Sequence, residues 1–243
     1  MTVIVTMAGL GTRFSSNGYA VPKHMIKARG RPLFDWSMAS LRQFFEQKFI
    51  FACLQEHDTD WIMQRAVQLG IQEVEICARA SVSRGQAETA YDVTAAAKKS
   101  SPLWVFNIDT YIKDGLSPAD LGPHDGCIHV FETDKPGMSY VSFEDGSYIS
   151  DIAEKEMISN WATVGMYGFK SVDFFRSLYE LAYRDGAVPE SRGERYIAPI
   201  YKLALKDGAV VAPKLGPRDV HVLGTPGEVK IFDPSVAPPF GGG

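Results

Sequence analysis

An α/β fold is the class this sequence predicts: a mostly parallel sheet with helices on both faces and an added hairpin-rich lobe. Three observations carry it. Strand-like and helix-like segments alternate from Thr2 to Ile108, the last of those strands (LWVFNI) is almost continuously apolar, and short strands crowd together after Gly126. Such alternation calls for crossover helices, and a strand apolar on both sides belongs to a sheet covered on both faces.

Taken in order, Thr2–Met7 (TVIVTM) is a short β-branched strand. Leu33–Phe45 sets Phe34, Met38, Leu41 and Phe45 on one helical face. Lys48–Leu54 is a second strand, and Asp58–Leu69 a helix with acidic residues in its first turn and Gly70 at its end. Glu73–Ala78 is a third strand, Gln86–Lys99 a third helix and Leu103–Ile108 the fourth strand. Then come strands at Gly126–Glu132, Ser139–Glu144, Ser147–Ile152 and Trp161–Phe169, the middle pair joined by the hairpin signal Asp145-Gly146. Val172–Arg184 and Arg195–Lys206 read as helices, Ala209–Ala212 and Val220–Leu223 as short strands. No repeat or linker breaks the pattern. One domain is expected over 1–234, with halves at 1–112 and 113–234, and a loose Pro/Gly-rich tail at 235–243.

A chain of 243 residues can bury one substantial core. Its net charge of −4 argues against a general nucleic-acid partner, since no basic excess exists to displace counterions. One phosphorylated small molecule needs only a few local cations and stays allowed. Cys53, Cys77 and Cys127 lack C-x-x-C spacing and read as buried thiols in a reducing compartment. The first residues form a strand rather than a basic-plus-apolar leader, and no run approaches the ~18 apolar residues of a membrane span. A cytoplasmic location without a membrane partner is therefore expected. His24, His57, His124, His129 and His221 show no metal-binding spacing, although His24 adjoins Lys23. Ser15 and Ser16 lack a nucleophile elbow.

The chemistry gathers at the opening. The first strand runs into Ala8-Gly9-Leu10-Gly11-Thr12-Arg13, and Pro22-Lys23 follows. Glycines let backbone N–H groups converge on an anion, and arginine offers a planar charged fork matched to phosphate oxygens. The Walker pattern is absent, and the dinucleotide fingerprint fails because Phe14 stands where its third glycine belongs. Turn residues follow, so an open phosphate loop without a helix is expected up to about Pro32. At the end of the fourth strand, Asn107-Ile108-Asp109 puts a carboxylate where open α/β sheets bind ligands, suited to Mg²⁺ shared with substrate phosphates.

At these residues the chain resembles the sugar-nucleotide pyrophosphorylases, nucleotidyltransferases with an (A/G)-G-x-G-T-R opening, a following P-K and a strand-end N-x-D. The resemblance covers nearly the whole chain and implies a Rossmann-like nucleotidyltransferase fold. It implies transfer of NMP from an NTP to the phosphate of a sugar 1-phosphate or similar small ester, with Mg²⁺ and release of pyrophosphate, for bacterial surface polysaccharide. It further implies that Ala8, Gly9, Leu10, Gly11 and Thr12 bind the nucleotide, that Gly85 and Gln86 of the S-R-G-Q-A-E loop meet the base, and that Asp109 holds the metal. Arg13, Lys23, Asp109 and Lys155 would be catalytic, while Glu154, Gly165 and Tyr167 would form the acceptor pocket. Many such enzymes are homo-oligomers.

Two departures mark a divergent branch. Leu10 replaces a third glycine, and Val222 stands where many relatives carry a second metal-binding Asp, two residues before the glycine of Gly224-Thr225-Pro226-Gly227-Glu228. Either one carboxylate suffices or the second metal contact differs. The acceptor of such a branch need not be a common hexose 1-phosphate. A glycosyltransferase using a nucleotide sugar and a non-catalytic nucleotide sensor are the competing readings. Asn107 in place of the first Asp of a D-x-D motif weakens the former.

Overall fold

A computed structural model of the chain describes residues 1–191 and 193–236. Its strands are β1 (Thr2–Thr6), β2 (Lys27–Ala28), β3 (Arg31–Pro32), β4 (Lys48–Leu54), β5 (Glu73–Arg79), β6 (Leu103–Asn107), β7 (Thr110–Ile112), β8 (Gly126–Glu132), β9 (Ser139–Asp145), β10 (Tyr148–Glu154), β11 (Trp161–Phe169), β12 (Val210–Val211), β13 (Lys214–Leu215) and β14 (Val220–Val222). Its α-helices are α1 (Thr12–Ser15), α2 (Leu33–Ala39), α3 (Thr59–Gln68), α4 (Gln86–Val93), α5 (Val172–Tyr179), α6 (Tyr201–Ala204) and α7 (Pro226–Phe232).

The main sheet has ten strands, ordered β13-β8-β12-β10-β9-β11-β6-β1-β4-β5. Its strands β5, β4, β1 and β6 are parallel neighbours. The expectation of a mostly parallel sheet holds for these four and is corrected beyond them. Strand β11 runs antiparallel to β6 and β8, and β9–β10 is an antiparallel hairpin. Nor do the hairpins make an added lobe: β11 carries the sheet straight into them.

Strand β1 shows how residue pattern sets this geometry. Val3, Ile4 and Val5 are all buried, as a central parallel strand requires. Their side chains alternate. Ile4 joins the core containing Ala87, Ala90, Tyr167 and Tyr201, whereas Val3 and Val5 join the opposite core with Phe34, Met38, Phe49 and Ile62. The faces are thus sealed by α4, α5 and α6 on one side and by α2 and α3 on the other, as expected. Helix α3 begins where Asp58 accepts the Trp61 N–H at 2.9 Å.

Three expected helices are shorter than their sequence pattern, each for a visible reason. Helix α2 stops at Ala39 because Ser40 is drawn into other bonds: its hydroxyl accepts the Ile112 N–H and its carbonyl the Leu116 N–H, both at 2.8 Å. Helix α4 gives way after Val93 to the 3₁₀ turn Thr94–Ala96, where the Thr94 hydroxyl bonds the Tyr91 carbonyl. The segment expected to be helical from Arg195 is helical only from Ala198. Arg195 instead donates its N–H to the Arg84 carbonyl and accepts the Ala87 N–H at 3.0 Å. The phosphate loop is also not wholly open, since α1 forms one helical turn in it. Cys53 and Cys127 are buried, Cys77 is half-buried, and all three are free. No helix among the described residues is long and apolar enough to cross a membrane. Of the expected tail, Val236 packs against the core of Phe14 and Phe232, and 237–243 lie outside the described residues.

Candidate active site

Strand β1 delivers its chain through buried Met7 and Ala8 into the glycine loop. Gly11 takes a left-handed conformation, φ 61°, which favours glycine, whereas Gly9 has no neighbour that a side chain would meet. Phe14 anchors the loop in a third core with Ile26, Leu33, Leu223, Val229 and Phe232. Leu10, Thr12 and Arg13 are left exposed above that anchor. The Arg13 guanidinium makes no hydrogen bond or ion pair among the described residues.

Past the loop, Lys23 opens a 3₁₀ turn behind Pro22 and sets its Nζ 3.0 Å from Asp109 Oδ2. Asp109 follows β6 and is fixed by a small ladder the sequence did not reveal. Strands β7 and β14 pair antiparallel with Thr110 opposite Val222, and the Leu223 N–H donates to the Asp109 carbonyl at 2.7 Å. The turn at Gly224 is thereby pressed against the Asp109 carboxylate. A Cβ on Gly224 would lie 3.2 Å from Asp109 Oδ2 and 3.3 Å from Glu228 Oε2. Thr225 caps α7 by accepting the Glu228 N–H at 3.3 Å, as the Thr-Pro pair predicts.

Lys135, which no sequence pattern singled out, completes this end. It pairs with Glu228. Burial lowers its ammonium below the ordinary lysine value, with the Asp109 carboxylate opposing the shift and the Arg13 guanidinium adding to it. Lys135 thus feels both Asp109 and Arg13, while Lys23 pairs with Asp109 directly. The only sequence hint was a lysine in the turn Asp134-Lys135-Pro136-Gly137 beside a strand end.

On the second side lie the residues expected to form the acceptor pocket. Glu154 ends β10 and bonds the Ser139 hydroxyl; burial raises its pKa, with Ser139 and then Lys155 pulling it back. Lys155 has a left-handed backbone, φ 59°, and directs its Nζ to the Tyr196 hydroxyl. Gly165, φ 80°, lies in a bulge of β11, where a Cβ would run into the Asn107 side chain. Tyr167 is buried, its hydroxyl 3.0 Å from Thr163 Oγ1. Its phenol is pushed up to about 12 by burial first, and the carboxylates of Glu154 and Asp109 both add to that shift.

The proposed base loop is held from behind. A Cβ on Gly85 would come within 2.6 Å of the Arg195 carbonyl oxygen. Buried Arg195 pairs with Glu88 and Glu190. Gln86 turns its amide nitrogen to Asn107 and to the Thr6 hydroxyl, so it bridges the ends of β1 and β6. His24 points away from this space, buried against His57 and Trp61.

No protein-family model and no curated protein matches the chain. Solved structures do. The nucleoside-diphosphate-sugar pyrophosphorylase from Vibrio cholerae RC9 is 32% identical over 95% of this chain and 98% of its own, with a TM-score of 0.85. The inositol-1-phosphate CTP transferase from T. maritima shares the fold at 17% identity, covering 95% and 93% of the two chains with a TM-score of 0.73. The CTP:phosphocholine cytidylyltransferase from Streptococcus pneumoniae does so at 15% identity, over 96% and 97%, with a TM-score of 0.74. Taken with the glycine loop and the strand-end aspartate, the first of these likenesses places the chain in the nucleoside-diphosphate-sugar pyrophosphorylase family of sugar-phosphate nucleotidyltransferases.

Proposed function

We infer that the chain joins the nucleotidyl group of an NTP to the phosphate of a sugar 1-phosphate or similar small ester and releases pyrophosphate. The observation that supports this most directly is the 3.0 Å ion pair of Lys23 with Asp109, beside the glycine loop and at the end of the parallel strand β6. An acceptor phosphate oxygen attacks the α-phosphorus; the new O–P bond forms as the bond to the bridging oxygen breaks, and pyrophosphate leaves with that electron pair. The nucleophile is already an anion and needs no base. The barrier lies in bringing two polyanions together, so the remedy is positional and electrostatic.

The loop from Ala8 to Thr12 and the Arg13 guanidinium would bind the triphosphate, and Lys23 would neutralise charge near the α-phosphate. Lys155 would align the incoming phosphate, with Glu154 and Tyr167 bounding the acceptor and the loop at Gly85 and Gln86 bounding the base. Asp109 would hold Mg²⁺. Its exposed carboxylate edge and the gap a Gly224 side chain would fill suit a small hard cation that shares its remaining ligands with phosphates and water. Mg²⁺ would supply further positive charge to the phosphate oxygens. We place the step in the cytoplasm, feeding bacterial surface polysaccharide.

The test is a grid of NTPs against sugar 1-phosphates, inositol 1-phosphate and phosphocholine, scored for pyrophosphate. One productive pair is expected. Arg13→Ala and Asp109→Ala should each lower kcat/KM for that pair at least about a hundredfold. Near-wild-type turnover in either would remove its role. No pyrophosphate from any pair, with binding of a nucleotide retained, would favour a sensor.

A further inference from the structure

Position 222 carries valine where the resemblance leads one to expect a second carboxylate. We propose that Glu228, in the first turn of α7, is the second carboxylate facing the divalent cation, and that Lys135 occupies it until the cation arrives. The proposal rests on the Mg²⁺ reading of Asp109 above. It comes from three features of the structure.

Glu228 Oε2 is buried and has no hydrogen-bond partner. Buried carboxylate oxygens are seldom left unpaired, because the desolvation cost goes uncompensated. Second, that oxygen and Asp109 Oδ2 each lie within 3.3 Å of one point, the place a Gly224 Cβ would take. Glycine keeps open the space between the two acids. Third, each acid is matched with one lysine: Lys23 Nζ stands 3.0 Å from Asp109, and Lys135 meets the other oxygen of Glu228. Two carboxylates close together repel, and two ammonium groups hold the pair together. Among the described residues no group of three His, Cys, Asp or Glu side chains gathers as a metal site. A pair of acids is the complement Mg²⁺ uses when phosphates and water complete its shell.

Val222 offers nothing to a cation: in β14, opposite Thr110, it packs against the core that holds Ile108 and Ile112, whereas Glu228 Oε2 lies 3.3 Å from the point beside Asp109 that a Gly224 Cβ would take. When the cation enters, Lys135 is displaced from Glu228 towards the phosphates, next to Arg13.

The experiment titrates MnCl₂ into the full chain and follows free Mn²⁺ by electron paramagnetic resonance, alone and with inorganic pyrophosphate. Glu228→Gln keeps the Thr225 cap and should weaken Mn²⁺ at least about tenfold, as Asp109→Asn should, with melting temperature little changed. Glu228→Asp should fall between. Lys135→Met removes the competitor and should tighten Mn²⁺ in the absence of pyrophosphate by about threefold or more, a loss of about one ion-pair's competition. Wild-type affinity in Glu228→Gln, with affinity lost in Asp109→Asn, overturns the role of Glu228 and leaves the Mg²⁺ reading intact. Wild-type affinity in both variants overturns that reading as well. Unchanged or weaker binding in Lys135→Met overturns the exchange, and does so even should Glu228→Gln fail to fold.

Discussion

His24 adjoins Lys23, yet its ring is packed 5.1 Å from that of His57 and 5.6 Å from that of Trp61, with Nε2 unpartnered. Its pKa is lowered to about 4, by burial first and by the neighbouring His57 next. The sign of the resulting pH dependence is fixed. Between the ordinary value of 6.5 and about 4, the unfolded chain takes up a proton that the folded chain refuses, so stability falls as pH drops through that window. For one such shift the loss is about 3 kcal/mol. His57, lowered mainly by burial, adds in the same direction. Melting temperatures measured from pH 7 to pH 4.5 should decline, and His24→Phe should flatten the decline. An identical slope in that variant would mean that other groups carry the acid sensitivity. At this scale the sequence singled out residues in fixed local spacing, and the structure sets two of them, Lys23 and Asp109, side by side. The sequence hid Lys135 and Glu228 as partners, because ninety-odd positions of chain separate them and only the β7–β14 ladder and the packing of α7 bring them together.

Among the elements, strands were more legible than helices. Strands β4, β8 and β11 carry apolar runs ended by turn residues, and their bounds match expectation. Helix periodicity was right in kind but blind to competition: Ser40 and Arg195 spend their backbone or hydroxyl groups on distant segments, and the helical pattern gives way there. The clamp at Gly85 offers a test. Its φ of 124° and the backbone of Arg195 behind it leave no room for a side chain. Gly85→Ala should cost at least about 1–3 kcal/mol in strain and separation of the two segments. We expect a lower melting temperature together with a raised KM for the NTP and little change in KM for the acceptor. Equal effects on both substrates would count against a nucleotide role for this loop.

For the molecule as a whole, one sheet running from β5 through β11 to β13 joins residues 1–112 to residues 113–234. Long-range ladders of this kind bind distant segments into one cooperative unit. Urea unfolding followed by tryptophan fluorescence and by far-ultraviolet ellipticity should therefore trace one superimposable transition. Two separated midpoints would show that the halves melt independently. The fold class was legible because alternation of strands and helices demands crossovers; the reversal at β11 was not, because an antiparallel strand buried on both faces looks in sequence like a parallel one.

The backbone of Lys155 points to something further. A left-handed lysine costs about 1 kcal/mol that glycine would not incur. Drift to glycine at this corner would thus be eased by the backbone, although it gives up the Tyr196 contact, and it would take with it the ammonium assigned to the incoming phosphate. A homologue with glycine there could be as robust as this chain, hold its nucleotide just as well, and turn nothing over.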